Sequence, residues 1–136
     1  MKQLLIIFLF VSLQSFSQSE KADPIDTAYD TCLKDSSTTA GMCNCGMAAM
    51  DAWDKALNAN YKLLMKALSQ PTKTDLINAQ KEWITYRDKE FSLIDKIYYA
   101  EMQGTMYYSM AWYRKTQAVK NRAIELKRYY DLIKDK

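Results

Sequence analysis

The sequence predicts an all-α fold: an antiparallel bundle of three long helices preceded by a short N-terminal helix. Two observations carry this. Apolar residues recur every three or four positions through the long segments, the spacing that gathers side chains on one helical face. Only three glycines and two prolines punctuate the 136 residues, and strand-like alternation is scarce. Three long helices joined by short turns pack up and down, and a chain of this length makes one small domain.

In chain order, Lys2 precedes an apolar run from Leu4 to Leu13, and Ser15 and Ser17 supply the small residues of a cleavage site. Residues 1–17 therefore read as a secretory signal peptide cut after Ser17. The alternative is a retained anchor, against which the run is too short to span a bilayer. No cysteine sits just beyond the run, which argues against lipid attachment. The helical domain is then residues 18–136, exported to the periplasm or the medium, with no membrane span after cleavage.

Asp23 caps and Pro24 opens a short helix to about Lys34. Residues 36–39 form a loop whose last hydroxyl, Thr39, caps the second helix. That helix carries Met50, Trp53, Leu57, Tyr61, Leu64 and Leu68 on one stripe and runs to about Ser69, before Pro71. Thr72 or Thr74 caps the third, whose stripe is Leu76, Gln80, Trp83, Arg87, Phe91, Ile94 and Tyr98. Gly104 marks the next break. The last helix spans about Thr105 to Leu132, with Met106, Met110, Tyr113, Val119, Ala123, Leu126 and Tyr130 expected inward.

Charge and composition narrow the function. The formal charge is +3, about +2 once Lys2 leaves with the leader, and bases alternate with acids. Nucleic acid is disfavoured, because its binding needs a concentrated basic face. The absence of histidine excludes Ser-His and Cys-His catalysis and histidine-containing zinc sites. Met42, Met47 and Met50 have soft-metal chemistry, but packing at helical spacing is the commoner use of methionine. No cofactor is assigned. Three cysteines in an exported chain imply one disulfide and one odd thiol, either buried or bridging two molecules.

The polar residues of the second and third helices sit among the apolar ones rather than opposite them. Asp54, Asn58 and Tyr61 share one helical face, as do Gln80, Trp83 and Arg87. With Pro71 as the mirror point, Asn58 lies level with Arg87 and Tyr61 with Trp83. Arg87 is then expected to pair with Asp54 and the Asn58 carbonyl, with Gln80 extending the network, and Asp88 to meet Arg122. Such a seam is either an open binding surface or a buried network that sets helix register.

These same residues resemble the LprI-like lysozyme-inhibitor family, small exported helical domains. The similarity covers about residues 30–130. It rests on Cys32 and Cys45, Asp54, Leu57-Asn58, Tyr61, Ala79-Gln80, Trp83, Tyr86-Arg87-Asp88, and Arg122 with Glu125-Leu126. The resemblance implies a Cys32–Cys45 disulfide with Cys43 as the odd thiol. Ideal helical phase instead puts Cys43 on the stripe of Met50 and Leu57. The second disulfide common in the family is missing: Phe91 stands at one position and no cysteine follows Cys45. An aromatic contact between Phe91 and Trp112 is expected in its place.

The resemblance further implies a protein partner, a peptidoglycan-cleaving lysozyme, blocked by occlusion and not by chemistry. Animal-type lysozymes are strongly basic, and a chain near +2 gains no global attraction to them. Asp23, Asp26, Asp30 and Asp35 make the N-terminal segment the most acidic candidate contact. Tyr98, Tyr99, Tyr107, Tyr108 and Trp112 surround the turn at Gly104 and form the other candidate surface, since these residue types concentrate at binding hot spots. The competing expectation is an envelope module that binds another protein or a ligand through these aromatics, with no lysozyme activity. An enzyme is the weakest reading, because no acidic pair stands apart from ordinary solvated charge. Oligomeric state is not specified by the sequence.

Overall fold

A computed structural model describes residues 22–136 of the chain, so the expected leader lies outside the described residues. Four α-helices follow one another: α1 (Pro24–Asp35), α2 (Thr39–Ala67), α3 (Thr72–Asp95) and α4 (Met106–Ile133), with a π-helical turn, Lys96–Glu101, continuing α3. The fold is all-α, as the periodicity predicts.

Local chemistry sets the boundaries. The Asp23 carboxylate accepts from the Ile25 amide at 2.8 Å and Pro24 opens α1. Thr38, one residue before the expected cap, accepts from the Gly41 amide at 3.0 Å. The next helix therefore starts at Thr39. It ends at Ala67, two residues short of Ser69. Neither Thr72 nor Thr74 caps α3. Its first residue follows Pro71, and the Thr74 hydroxyl turns back to Gln70. Gly104 has φ 120°, a left-handed conformation that disfavours a side chain, and the chain reverses there into α4.

The pairing of the helices departs from simple sequence order. Neighbours in the chain run antiparallel, but the most extensive packing joins α2 to α4, which run parallel. Small residues allow it. A Cβ on Gly46 would lie 2.6 Å from the Trp112 Cβ, so the two backbones approach there as only glycine permits. Ala49, Ala111 and Ala123 are buried along the same interface. The core grows from it through Trp53, Leu57, Leu64, Leu76, Val119, Ala123 and Leu126.

This close approach corrects the expected inner face of α4. Val119, Ala123 and Leu126 are buried as expected, and Tyr130 is half-buried. Met106, Met110 and Tyr113 are exposed, Met106 at 61%. Ala111, Lys115 and Thr116 take their places. The Thr116 hydroxyl lies 3.2 Å from the Gly46 carbonyl and 2.8 Å from that of Trp112, which satisfies the buried group inside the helix pair.

α1 packs across α2 and α4 and is held at both ends. Cys32 and Cys45 form a disulfide with Cα atoms 5.7 Å apart, the pairing implied by the resemblance. Cys43 is free and half-buried. Helical phase misled here because α1 docks on the flank of α2, where Cys45 points, and not on the Met50–Leu57 stripe. At the other end, Asp26 accepts from Lys120 at 2.5 Å and from the Trp53 indole at 3.3 Å, and Lys120 lies over the Trp53 ring.

Candidate functional site

The polar seam forms between α3 and α4, not between α2 and α3. Arg122 on α4 donates to the Gln80 carbonyl oxygen at 3.0 Å and pairs with Glu125 on its own helix. Its side chain is only 11% exposed, and Gln80 is buried beside it. Asp88 does not reach Arg122. It pairs instead with its neighbour Arg87, through Nε at 2.9 Å and Nη2 at 2.7 Å.

Arg87 makes no bond to α2. Its guanidinium lies 5.5 Å from the Trp83 ring centroid and 5.8 Å from that of Phe91, so it spreads over aromatic faces on its own helix. Asn58 donates to Asp54, to the carboxylate at 3.0 Å and the carbonyl at 2.9 Å, again within one helix. Tyr61 and Trp83 pack against the core edge. The expected cross-helix network is absent because Asn58 and Arg87 spend their bonds within their own helices, while α2 and α3 share an apolar cluster through Leu57, Leu64 and Leu76. The residues of the family pattern thus divide into a buried contact, Gln80 with Arg122, and a set bordering the α2–α3 face: Asp54, Asn58, Tyr61, Trp83 and Arg87.

A second polar feature had no signal in the sequence beyond a lysine at a position with apolar neighbours. Lys115 is 7% exposed. Its ammonium lies 5.1 Å from the Trp112 ring, 5.6 Å from Phe91 and 5.9 Å from Tyr99, and 2.6 Å from Asp95 Oδ1. The expected direct contact between Phe91 and Trp112 is replaced by this cation set against both rings. It joins α3, the π-helical turn and α4 where a second disulfide is missing, by attraction between ammonium and aromatic faces.

The aromatic turn is partly open. Tyr99 and Tyr108 meet edge to face at 4.9 Å, and both are exposed, while Tyr98 and Tyr107 are half-buried. Tyr98 accepts from Arg114 at 3.3 Å. Burial raises the Tyr99 phenol above its ordinary range, with the Asp95 charge adding to it. Elsewhere a cleft of about 780 Å³ lies between α1, α2 and α4. Its central charges, Asp26 and Lys120, satisfy each other.

Among the described residues no helix is long and apolar enough to cross a membrane. The model of the family described as lysozyme inhibitor LprI matches residues 32–126. A comparison with the curated proteins gives no match. Among solved structures, the chain is similar to the crystal structure of an uncharacterized protein from Burkholderia thailandensis, with a TM-score of 0.77 and 32% identity. The similarity covers 84% of this chain and 57% of that one, so this chain spans little more than half of that protein's length.

Proposed function

The chain belongs to the LprI family of lysozyme inhibitors, and from that membership we propose that it binds a peptidoglycan-cleaving lysozyme and blocks it by occlusion. The supporting observation is the family match from Cys32 to Leu126, which takes in the disulfide, the Gln80–Arg122 contact and the α2–α3 residues together. Occlusion suits a rigid helical body. Binding loses less free energy when the contact surface is already ordered, and here a disulfide and ion pairs tie down the short α1. The family acts as inhibitor rather than enzyme, and the proposed chain performs no covalent step.

Export belongs to the same reading, since a lysozyme is met outside the cytoplasm. Residues 1–17 are the proposed leader and 18–136 the working domain. The test is a cell-wall lysis assay with the purified domain against animal-type, goose-type and phage-type lysozymes. Slowed lysis by at least one class is the expected result, and full activity of all three at high excess of the domain refutes the reading. A second reading, an envelope module for another protein, draws on the exposed Tyr99, Tyr108 and Met106. Recovery of a non-lysozyme partner alone from envelope extract favours it.

A further inference from the structure

Among the described residues, the packing leaves one long face of the bundle uncovered. α3 and the π-helical turn that continues it direct Phe91, Asp95 and Tyr98 toward α4. Tyr86, Leu93 and Ile97, spaced by seven and four, share the opposite flank, and they are 56%, 50% and 41% exposed. On α2, α1 and α4 occupy the sides of Cys45, Gly46 and Asn60. Met47, Asp54 and Tyr61, spaced by sevens, form the remaining stripe toward α3. The two stripes flank the seam where α2 and α3 share the core through Leu64 and Leu76.

The charge on this face is predominantly acidic, although the chain as a whole is at +3. The α3 flank carries Asp75, Glu82 and Glu90 in the same three-and-four spacing as its apolar residues, and the α2 stripe carries Asp54. Among the described residues none of these four makes an ion pair. Arg87, at the inner edge, is held by Asp88. Lys89 borders the α3 flank, three residues after Tyr86 and seven after Glu82, and Lys96 follows in the π-helical turn. Four carboxylates thus stand against one bordering lysine, Lys89.

We propose that this α2–α3 face, apolar at its centre line and acidic along its length, is the docking surface for the basic surface of an animal-type lysozyme. The proposal rests on the inhibitor reading and supplies the contact that net charge alone does not. Screening at physiological salt confines charge effects to about 8 Å, so the field that matters is that of the contacting face and not of the whole chain. Exposed Tyr86, Leu93 and Ile97 supply the apolar area, and the unpaired carboxylates supply orientation and on-rate.

The test measures binding of the purified domain to an animal-type lysozyme at low and physiological salt, beside inhibition of lysis and thermal melting. Tyr86→Ser, and separately the double variant Glu82→Lys with Glu90→Lys, should each weaken binding at least about tenfold. Their melting should stay close to wild type, because Tyr86 and Glu82 are exposed. If the double variant misfolds, Tyr86→Ser alone decides. Asp30→Asn with Asp35→Asn on α1, and Tyr107→Ala at the turn, should leave binding unchanged. A wild-type domain that inhibits, with face variants that inhibit equally, overturns the face and leaves the inhibitor reading standing. A wild-type domain that binds and protects no animal-type lysozyme overturns the face, and failure across all lysozyme classes overturns the inhibitor reading with it.

Discussion

Arg87 and Arg122 both belong to the family pattern, and the structure gives them different work. Arg122 is enclosed, with Gln80 depending on it for a hydrogen bond. Arg122→Ala should lower stability by about 3 kcal/mol, because it strands a buried amide oxygen and removes a nearly buried cation. Arg87→Ala should cost only about 1 kcal/mol, since Asp88 is exposed and the stacking on Trp83 and Phe91 is what is lost. Chemical denaturation of the two variants checks the order, and an equal loss contradicts it. At Cys43, burial pushes the thiol above its usual range. The native thiol therefore keeps its proton to higher pH than the unfolded chain does. In that interval unfolding releases a proton, and this group's contribution to stability falls as pH rises. Alkylation of the folded protein should accordingly be slow near neutrality and accelerate only at alkaline pH, later than a free thiol does. A rate matching a free thiol's at neutral pH would contradict this.

At the scale of elements, the decisive event is the close approach of α2 and α4 at Gly46. Gly46→Ala forces its new methyl against Trp112, and the helices must part or Trp112 must move. The expected loss is about 2 kcal/mol of overpacking, read as a lower melting temperature, in contrast to the gain an exposed helical glycine shows when changed to alanine. The α1 element depends on its bridge. Closing 13 residues of separation, the disulfide is worth about 3 kcal/mol by loop-closure entropy. Cys32→Ser with Cys45→Ser should therefore reduce stability by that order and increase hydrogen exchange most within α1. Asp26, with Lys120 and Trp53, remains as the second tie, so α1 should loosen at its Cys32 end first.

For the whole molecule, the leader reading predicts that material recovered from the envelope or medium begins near Gln18, as mass spectrometry of the intact chain will show; an intact Met1 in that fraction contradicts it. The sequence by itself determined the helical class, the number of long helices and the turns near Pro71 and Gly104, because period, proline and glycine act locally. Val119, Ala123 and Leu126 were legible as core for the same reason, and the Cys32–Cys45 pair through the family pattern. Helical period names a face but not the helix that will cover it. Hence Arg87 looked matched to Asp54 and Asn58 when Gln80 and Arg122 are the pair that meets, and Met106 and Met110 looked inward when Lys115 and Thr116 are. Tertiary structure decided these through one steric fact. Gly46 and a row of alanines let α2 and α4 come close in parallel, and α3 bonds to α4 through Gln80 with Arg122 and Asp95 with Lys115.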